Sequence, residues 1–198
     1  MIKLGILGST NGTDLQAIFE AEKTKKLNAK VNVVISNKEN AYILKRAKNH
    51  GVPAVFINHK NKKRKDFDSE ISIELKKNNI DLILLIGFMR ILSAEFCNAW
   101  QGKILNVHPS LLPKYSGGMD INVHDEVIAN GDKESGCTIH LVTEEVDSGP
   151  ILIQKKCKVI NGETAETLKT KVQQLEGLAF VEAINQLSKN TNINNIFS

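Results

Sequence analysis

Asp81-Leu82-Ile83-Leu84-Leu85-Ile86-Gly87 is an apolar run of strand length with no polar residue inside it. A strand with one wet face would alternate, so an unbroken run between an acid and a glycine reads as a central parallel strand buried on both faces. Upstream, residues 2–7 form a first strand, and Gly8-Ser9-Thr10-Asn11-Gly12 turns into a helix with Leu15, Ile18 and Phe19 on one face. A second strand at 31–35, a helix at 41–49 and a short strand at 54–57 follow. The i, i+4 spacing of Phe67, Ile71 and Leu75 marks the next helix. Downstream, Ser93 caps a short helix through Trp100, and Pro109 ends a fifth strand at 104–108. A loop at 110–118 leads to a helix at 123–129. Strands at 138–142 and 151–159 flank the loop 143–150, and a closing helix carries Leu168, Val172, Leu175, Ala179 and Ala183 on one face. Strand-length clusters alternating with helical period predict an α/β, Rossmann-like fold. Its central sheet is expected to be mostly parallel, with helices on both faces and later strands partly antiparallel.

With 198 residues and 41% hydrophobic content the chain can bury one sizeable core. One domain is expected over residues 1–189, followed by a polar tail at 190–198. No apolar run approaches the ~20 residues a bilayer span needs. Met1-Ile2-Lys3-Leu4-Gly5 passes into glycine and polar residues with no secretory stretch, so a cytoplasmic protein without a membrane partner is expected. Cys97, Cys137 and Cys157 lie far apart with no CxxC pair, which points neither to a disulfide framework nor to a zinc site. The net charge of +4 gathers in Lys60-Asn61-Lys62-Lys63-Arg64-Lys65. Without interleaved aromatic residues this segment reads as a solvated loop, and no nucleic-acid partner is expected.

Ligands of open parallel sheets bind beyond the carboxyl ends of the strands. Asn106 and His108 stand at such an end, two positions apart and therefore on one face. An amide donor beside an imidazole can stabilise the charge a carbonyl oxygen gains under nucleophilic attack. The plain structural alternative is a pair that satisfies loop backbone groups. At another strand end, Gly8-Ser9-Thr10-Asn11-Gly12-Thr13-Asp14 enters a helix whose open N–H groups suit a phosphate. It is neither GxGxxG nor a P-loop, and a turn capped by Thr13 or Asp14 is the alternative. Glu144-Glu145-Val146-Asp147-Ser148-Gly149-Pro150 is an acidic loop, and a carboxylate from it that reached His108 would favour the imidazolium. The pattern alone leaves open which of Glu144, Glu145 and Asp147 points inward.

Taken together, Asn106-Val107-His108-Pro109-Ser110-Leu111-Leu112-Pro113-Lys114-Tyr115, Gly87-Phe88-Met89-Arg90-Ile91-Leu92, Asp147-Ser148-Gly149-Pro150, Gly12-Thr13-Asp14-Leu15-Gln16-Ala17-Ile18 and Ser36-Asn37-Lys38 closely resemble the folate-dependent phosphoribosylglycinamide formyltransferases. The resemblance runs in register from residue 4 to about residue 176. It implies formyl transfer from 10-formyltetrahydrofolate, as cosubstrate, to the amine of glycinamide ribonucleotide in purine biosynthesis, with no metal. Under it, Asn106, His108 and Asp147 match the catalytic trio, and Gly12, Thr13 and Asp14 match the phosphate-binding turn. Gln173 and Glu176 match ribonucleotide-binding positions. Met89, Arg90, Ile91 and Leu92, with Asn106, match the folate pocket, and Arg64 matches a basic position near the folate's acidic tail. For Met89, Ile91 and Leu92, core packing is the alternative. Small-molecule partners and a monomer or weak homodimer are expected.

The chain departs from the family's pattern in places. Asp14 stands where Asn is more common, and its side chain is expected to cap the helix while backbone N–H groups bind phosphate. The loop at 116–124 is longer than in many members and ends in His124, a possible substrate contact or a surface residue at a helix start. Gly177 replaces a common His. A formyltransferase acting on another phosphorylated or sugar amine is the nearest competing reading. Methionyl-tRNA formyltransferases and formyltetrahydrofolate hydrolases carry further domains not expected in 198 residues. A noncatalytic module that binds a phosphorylated metabolite is the competing reading of a different class.

Overall fold

The computed structural model of the chain describes residues 1–118 and 121–189. The tail at 190–198 and the centre of the expected long loop, 119–120, lie outside the described residues. The elements in order are β1 (Ile2–Leu7), α1 (Thr13–Lys23), β2 (Ala29–Ser36), α2 (Tyr42–Asn49), β3 (Ala54–Phe56), α3 (Arg64–Lys77), β4 (Leu82–Leu85), α4 (Ala94–Ala99), β5 (Ile104–His108), α5 (Ile121–Ala129), β6 (Glu134–Leu141), β7 (Ile151–Lys158) and α6 (Ala165–Lys189). The strands form one seven-stranded sheet in the order β3-β2-β1-β4-β5-β6-β7. Strands β1 to β5 pair in parallel, while β6 and β7 pair antiparallel to their neighbours.

The apolar run of β4 behaves as an unbroken run should. Leu82, Leu84 and Ile86 join one buried cluster with residues of α1, α2 and α6, such as Leu15, Ile43 and Phe180. Ile83 and Leu85 join the other with Phe67, Ile71 and Leu75 of α3 and Phe96 of α4. Truncating one of these to Ala would cost about 2–5 kcal/mol. Ser93 does cap α4, its Oγ accepting from Phe96 N at 3.3 Å.

Several boundaries shift by one or two residues from the sequence expectation, β2 for instance running Ala29–Ser36, and the starts of β6 and α5 bear on the site. Strand β6 starts at Glu134 rather than at residue 138, because Ser135 and Gly136 pair with Cys157 and Lys156 of β7 although they lack a strand-like apolar pattern. Helix α5 starts at Ile121, two residues earlier than its apolar spacing suggests. Strand order reverses between β1 and β4, since the chain runs outward through β2 and β3 on one side and through β5 on the other. Connections leaving those two strands diverge, and a crevice opens at their carboxyl ends.

Candidate active site

The crevice is a cleft of about 820 Å³. It gathers Gly12, Thr13 and Asp14 after β1, Met89, Arg90, Ile91 and Leu92 after β4, Asn106 and His108 of β5, Asp147 from the β6–β7 loop, and Gln173 and Glu176 of α6. Arg64 is the exception. It is exposed at the first position of α3, outside the cleft lining, within electrostatic reach of Asp68 beside Arg90. A separate pocket of about 410 Å³ behind the 110–115 loop contains none of the predicted site residues.

Two turns build the floor. Gly87 has φ +57°, and a Cβ there would lie 2.2 Å from Thr10 Oγ1, so glycine lets the β1 and β4 turns touch. Ser9 then locks them: its hydroxyl donates to Asn37 Oδ1 at 2.6 Å and accepts from Met89 N at 2.9 Å. This holds Met89 and Ile91 on the cleft wall, 40% and 55% exposed, so core packing does not account for them. It does account for Leu92, which is 7% exposed and part of the core beside α4. Arg90 lies over the Phe67 ring at 4.8 Å.

At the β5 end, the Asp147 carboxylate and both nitrogens of the His108 ring face partners. Asp147 Oδ2 is 3.1 Å from His108 Nδ1 and accepts from Gly117 N at 2.9 Å. The other imidazole nitrogen, His108 Nε2, donates to Tyr115 O at 2.8 Å. Both ring nitrogens thus face acceptors, an arrangement in which an imidazolium has a partner for each N–H. Asp147 is held in the left-handed region at φ +53°, a position that a non-glycine residue occupies only when its surroundings fix it. Burial alone would raise its carboxyl. Hydrogen bonds from His108 and from Gly117 N–H outweigh that and hold it far below the usual carboxylate range. Glu144 and Glu145 are exposed, and Glu144 is tied to Asn98 Nδ2 at 2.9 Å, so Asp147 is the inward member of the acidic loop.

Sequence reasoning missed His140. It is 2% exposed, its Nδ1 donates to Leu141 O at 2.9 Å, and its Nε2 lies 3.2 Å from Asn106 Nδ2 and 3.4 Å from Asp147 Oδ1. With the proton on Nδ1, Nε2 accepts one N–H of the Asn106 amide and fixes which way that amide faces. Lys169 was missed as well. It lines the cleft from α6, where its i, i+4, i+7 spacing with Gln173 and Glu176 is the signal that could have found it.

At the β1 end, Gly12 is the N-cap of α1 with φ +62°, and no side chain caps the helix. A Cβ there would meet Ile43 Cγ1 at 2.3 Å. The expectation that Asp14 caps is therefore overturned: its carboxyl is turned inward, 6% exposed, and hydrogen-bonded to Glu176. Burial raises it to about 6 despite that bond. His124 is buried rather than at the surface, and it lines the same cleft. Among the described residues no cluster of three or more His, Cys, Asp or Glu side chains could hold a metal ion, and no helix is long and apolar enough to cross a membrane.

The family model for formyl transferase matches residues 2–184. The chain belongs to the formyl transferase family. Its relatives include the phosphoribosylglycinamide formyltransferase of Escherichia coli K12, 40% identical over 86% of this chain and 80% of that protein. The human trifunctional purine biosynthetic protein adenosine-3 is 39% identical over 96% of this chain, which spans 18% of that longer protein. A crystal structure of glycinamide ribonucleotide transformylase 1 from Symbiobacterium toebii superposes with a TM-score of 0.92 at 36% identity, covering 96% of this chain and 89% of that one. The Rossmann-like reading of the sheet, with its antiparallel β6 and β7, agrees with that superposition.

Proposed function

We propose that this formyl transferase moves the formyl group of 10-formyltetrahydrofolate onto the amine of glycinamide ribonucleotide, in de novo purine biosynthesis. The observation that carries the reading is one continuous cleft. It joins an open helix N-terminus at Gly12, an oxyanion-type pair at Asn106 and His108, and a partly exposed apolar wall at Met89 and Ile91. The names of the Escherichia coli and Symbiobacterium toebii relatives support the same acceptor.

In this reading the phosphate sits on the N–H groups at Gly12, Thr13 and Asp14, where the helix dipole favours an anion. Gln173 and Glu176 hold the ribonucleotide. Met89, Arg90 and Ile91 line the folate site with Asn106, Leu92 supports that wall from the core beside α4, and Arg64 at the rim faces the folate's acidic tail. The acceptor nitrogen attacks the formyl carbon and the C–N bond forms. The carbonyl electron pair moves to oxygen, where the second N–H of Asn106 and the edge of the His108 ring stabilise it. Asp147, facing Nδ1, orients that ring. As the electron pair returns, the bond from the formyl carbon to the folate nitrogen breaks. That nitrogen gains one proton while the former amine loses one, with Asp147 and water as the relay.

The chain acts as one domain over 1–189, in the cytoplasm, as a monomer or weak homodimer binding small molecules. The test is turnover with 10-formyltetrahydrofolate and a set of acceptors: glycinamide ribonucleotide, a sugar-nucleotide amine, and none. The reading expects rapid folate release only with glycinamide ribonucleotide. Turnover confined to the sugar amine would replace the acceptor. Folded protein that binds no folate would leave the metabolite-binding module as the better account.

A further inference from the structure

Asp14 and Glu176 meet because α6 comes unusually close to the first turns of α1. A Cβ on Gly177 would lie 2.6 Å from Ala17 Cβ and 3.6 Å from Asp14 Cα, so the two helices could not approach this far with a side chain there. Both carboxyls are buried, 6% and 8% exposed, and both residues line the cleft. Asp14 Oδ1 has no hydrogen-bond partner among the described residues. Two carboxylates in hydrogen-bond contact away from water do not both ionise readily, and they hold one proton between them.

The groups around the pair come from four elements. From β6, the Cys137 thiol is pushed up to about 12, first by burial and then by the charges of Glu176 and Asp14, so it stays neutral. From α2, Arg46 directs its guanidinium to Asn11 O at 2.8 Å and Gln16 Oε1 at 3.4 Å. His124 of α5 and Lys169 of α6 line the same cleft. The N-terminus of α1 favours an anion, yet burial wins at Asp14.

We propose that Asp14 and Glu176 act as a one-proton carboxyl pair that sets specificity at the phosphate end of the cleft, so that binding the phosphorylated substrate draws one proton into the protein. This rests on the substrate class proposed above. With one proton the pair offers an O–H donor and acceptor oxygens to ligand hydroxyls, and adds a single negative charge near the phosphate. When that proton leaves, the second negative charge opposes a phosphate dianion at the same helix end. Asp14→Asn would remove the second ionisation, so the pair's place would carry at most one negative charge at any pH.

The experiment has a ligand-free arm and a ligand arm, each comparing the intact chain with Asp14→Asn and, as a second variant, Glu176→Gln. In the first arm, urea unfolding from pH 4 to 8 gives the stability difference between variant and parent. In the second, calorimetry gives Kd for glycinamide ribonucleotide over pH 5.5 to 8.5, and the parent-to-variant ratio at each pH cancels the ligand's own titration. The expected result is a stability difference that grows up to about pH 6, with a Kd ratio that rises about tenfold or more toward pH 8.5. Proton uptake on binding, read from buffers of different ionisation enthalpy, should fall in both variants. A flat stability difference overturns the shared proton. A flat Kd ratio alongside the stability difference overturns the coupling to ligand. If neither parent nor variant binds glycinamide ribonucleotide while the stability difference persists, the acceptor assignment fails and the coupling to that substrate falls with it.

Discussion

The two ends of the cleft treat buried charge in opposite ways. At the β5 end, Asp147 is surrounded by two imidazoles and a backbone N–H, and its carboxyl is driven down. At the β1 end, Asp14 is pressed against another carboxyl, and burial drives it up to about 6. Position within one cleft therefore does not set ionisation; the partners do. The β5 end is built to hold a fixed charge, as the proposed transfer beside Asn106 and His108 requires. The β1 end has unspent hydrogen-bonding capacity and an unfavourable charge, as expected of a surface completed by its ligand.

This contrast can be broken or sharpened by substitution. The largest effect is expected at the β5 end, where His108→Ala should lower kcat by about 10³-fold in steady-state assays with little change in nucleotide affinity. Asp147→Asn should lower kcat by about 10²-fold or more, because it removes the carboxylate that orients the ring. It should also change acid stability in a defined direction. A carboxyl whose folded value is depressed contributes stability that is fully present above its ordinary value of 3.8 and is lost as pH falls toward the folded value. The variant should therefore show a shallower acid unfolding profile than the parent below about pH 4.

At the β1 end the sign is reversed. The folded state holds the Asp14 proton more tightly than the unfolded chain does, so stability falls as pH rises from 3.8 to about 6, and the loss persists above that. Asp14→Asn should consequently be the more stable protein at neutral pH, by on the order of 2 kcal/mol in urea unfolding. Unchanged stability at pH 7 would dissolve the contrast between the two ends. The smallest effect is expected at Arg64, which is exposed at the rim. Its change to Ala should raise KM for the folate by about fivefold at most, and less in high salt.

Much of the frame was legible because it depends on local pattern. The β4 run, the β5 span ended by Pro109 and the Ser93 cap each follow from residues within one or two turns of themselves. Asn106 and His108 were legible for the same reason, since neighbours two apart on a strand share a face. His140 was not, because its meeting with Asn106 is set by the antiparallel register of β5 and β6, which pairs those two residues across the sheet. The inward turn of Asp14 was illegible for a related reason. An acid in the first turn of a helix usually faces solvent or caps, and only the close approach of α6 at Gly177 brings Glu176 against it. Tyr115 contributes through its backbone carbonyl, so its side-chain identity carried no signal of the bond to His108.

The central claim is that the two ends serve one transfer, with the formyl group passing directly from folate to amine beside Asn106 and His108. The most direct measurement follows the carbon itself, by mixing the protein with glycinamide ribonucleotide and 10-formyltetrahydrofolate labelled with ¹³C in the formyl group. The account predicts that the label appears as the amide of the ribonucleotide in step with folate release, and that His108→Ala slows this by about 10³-fold. Label recovered as free formate, or transfer at the same rate in His108→Ala, would contradict it.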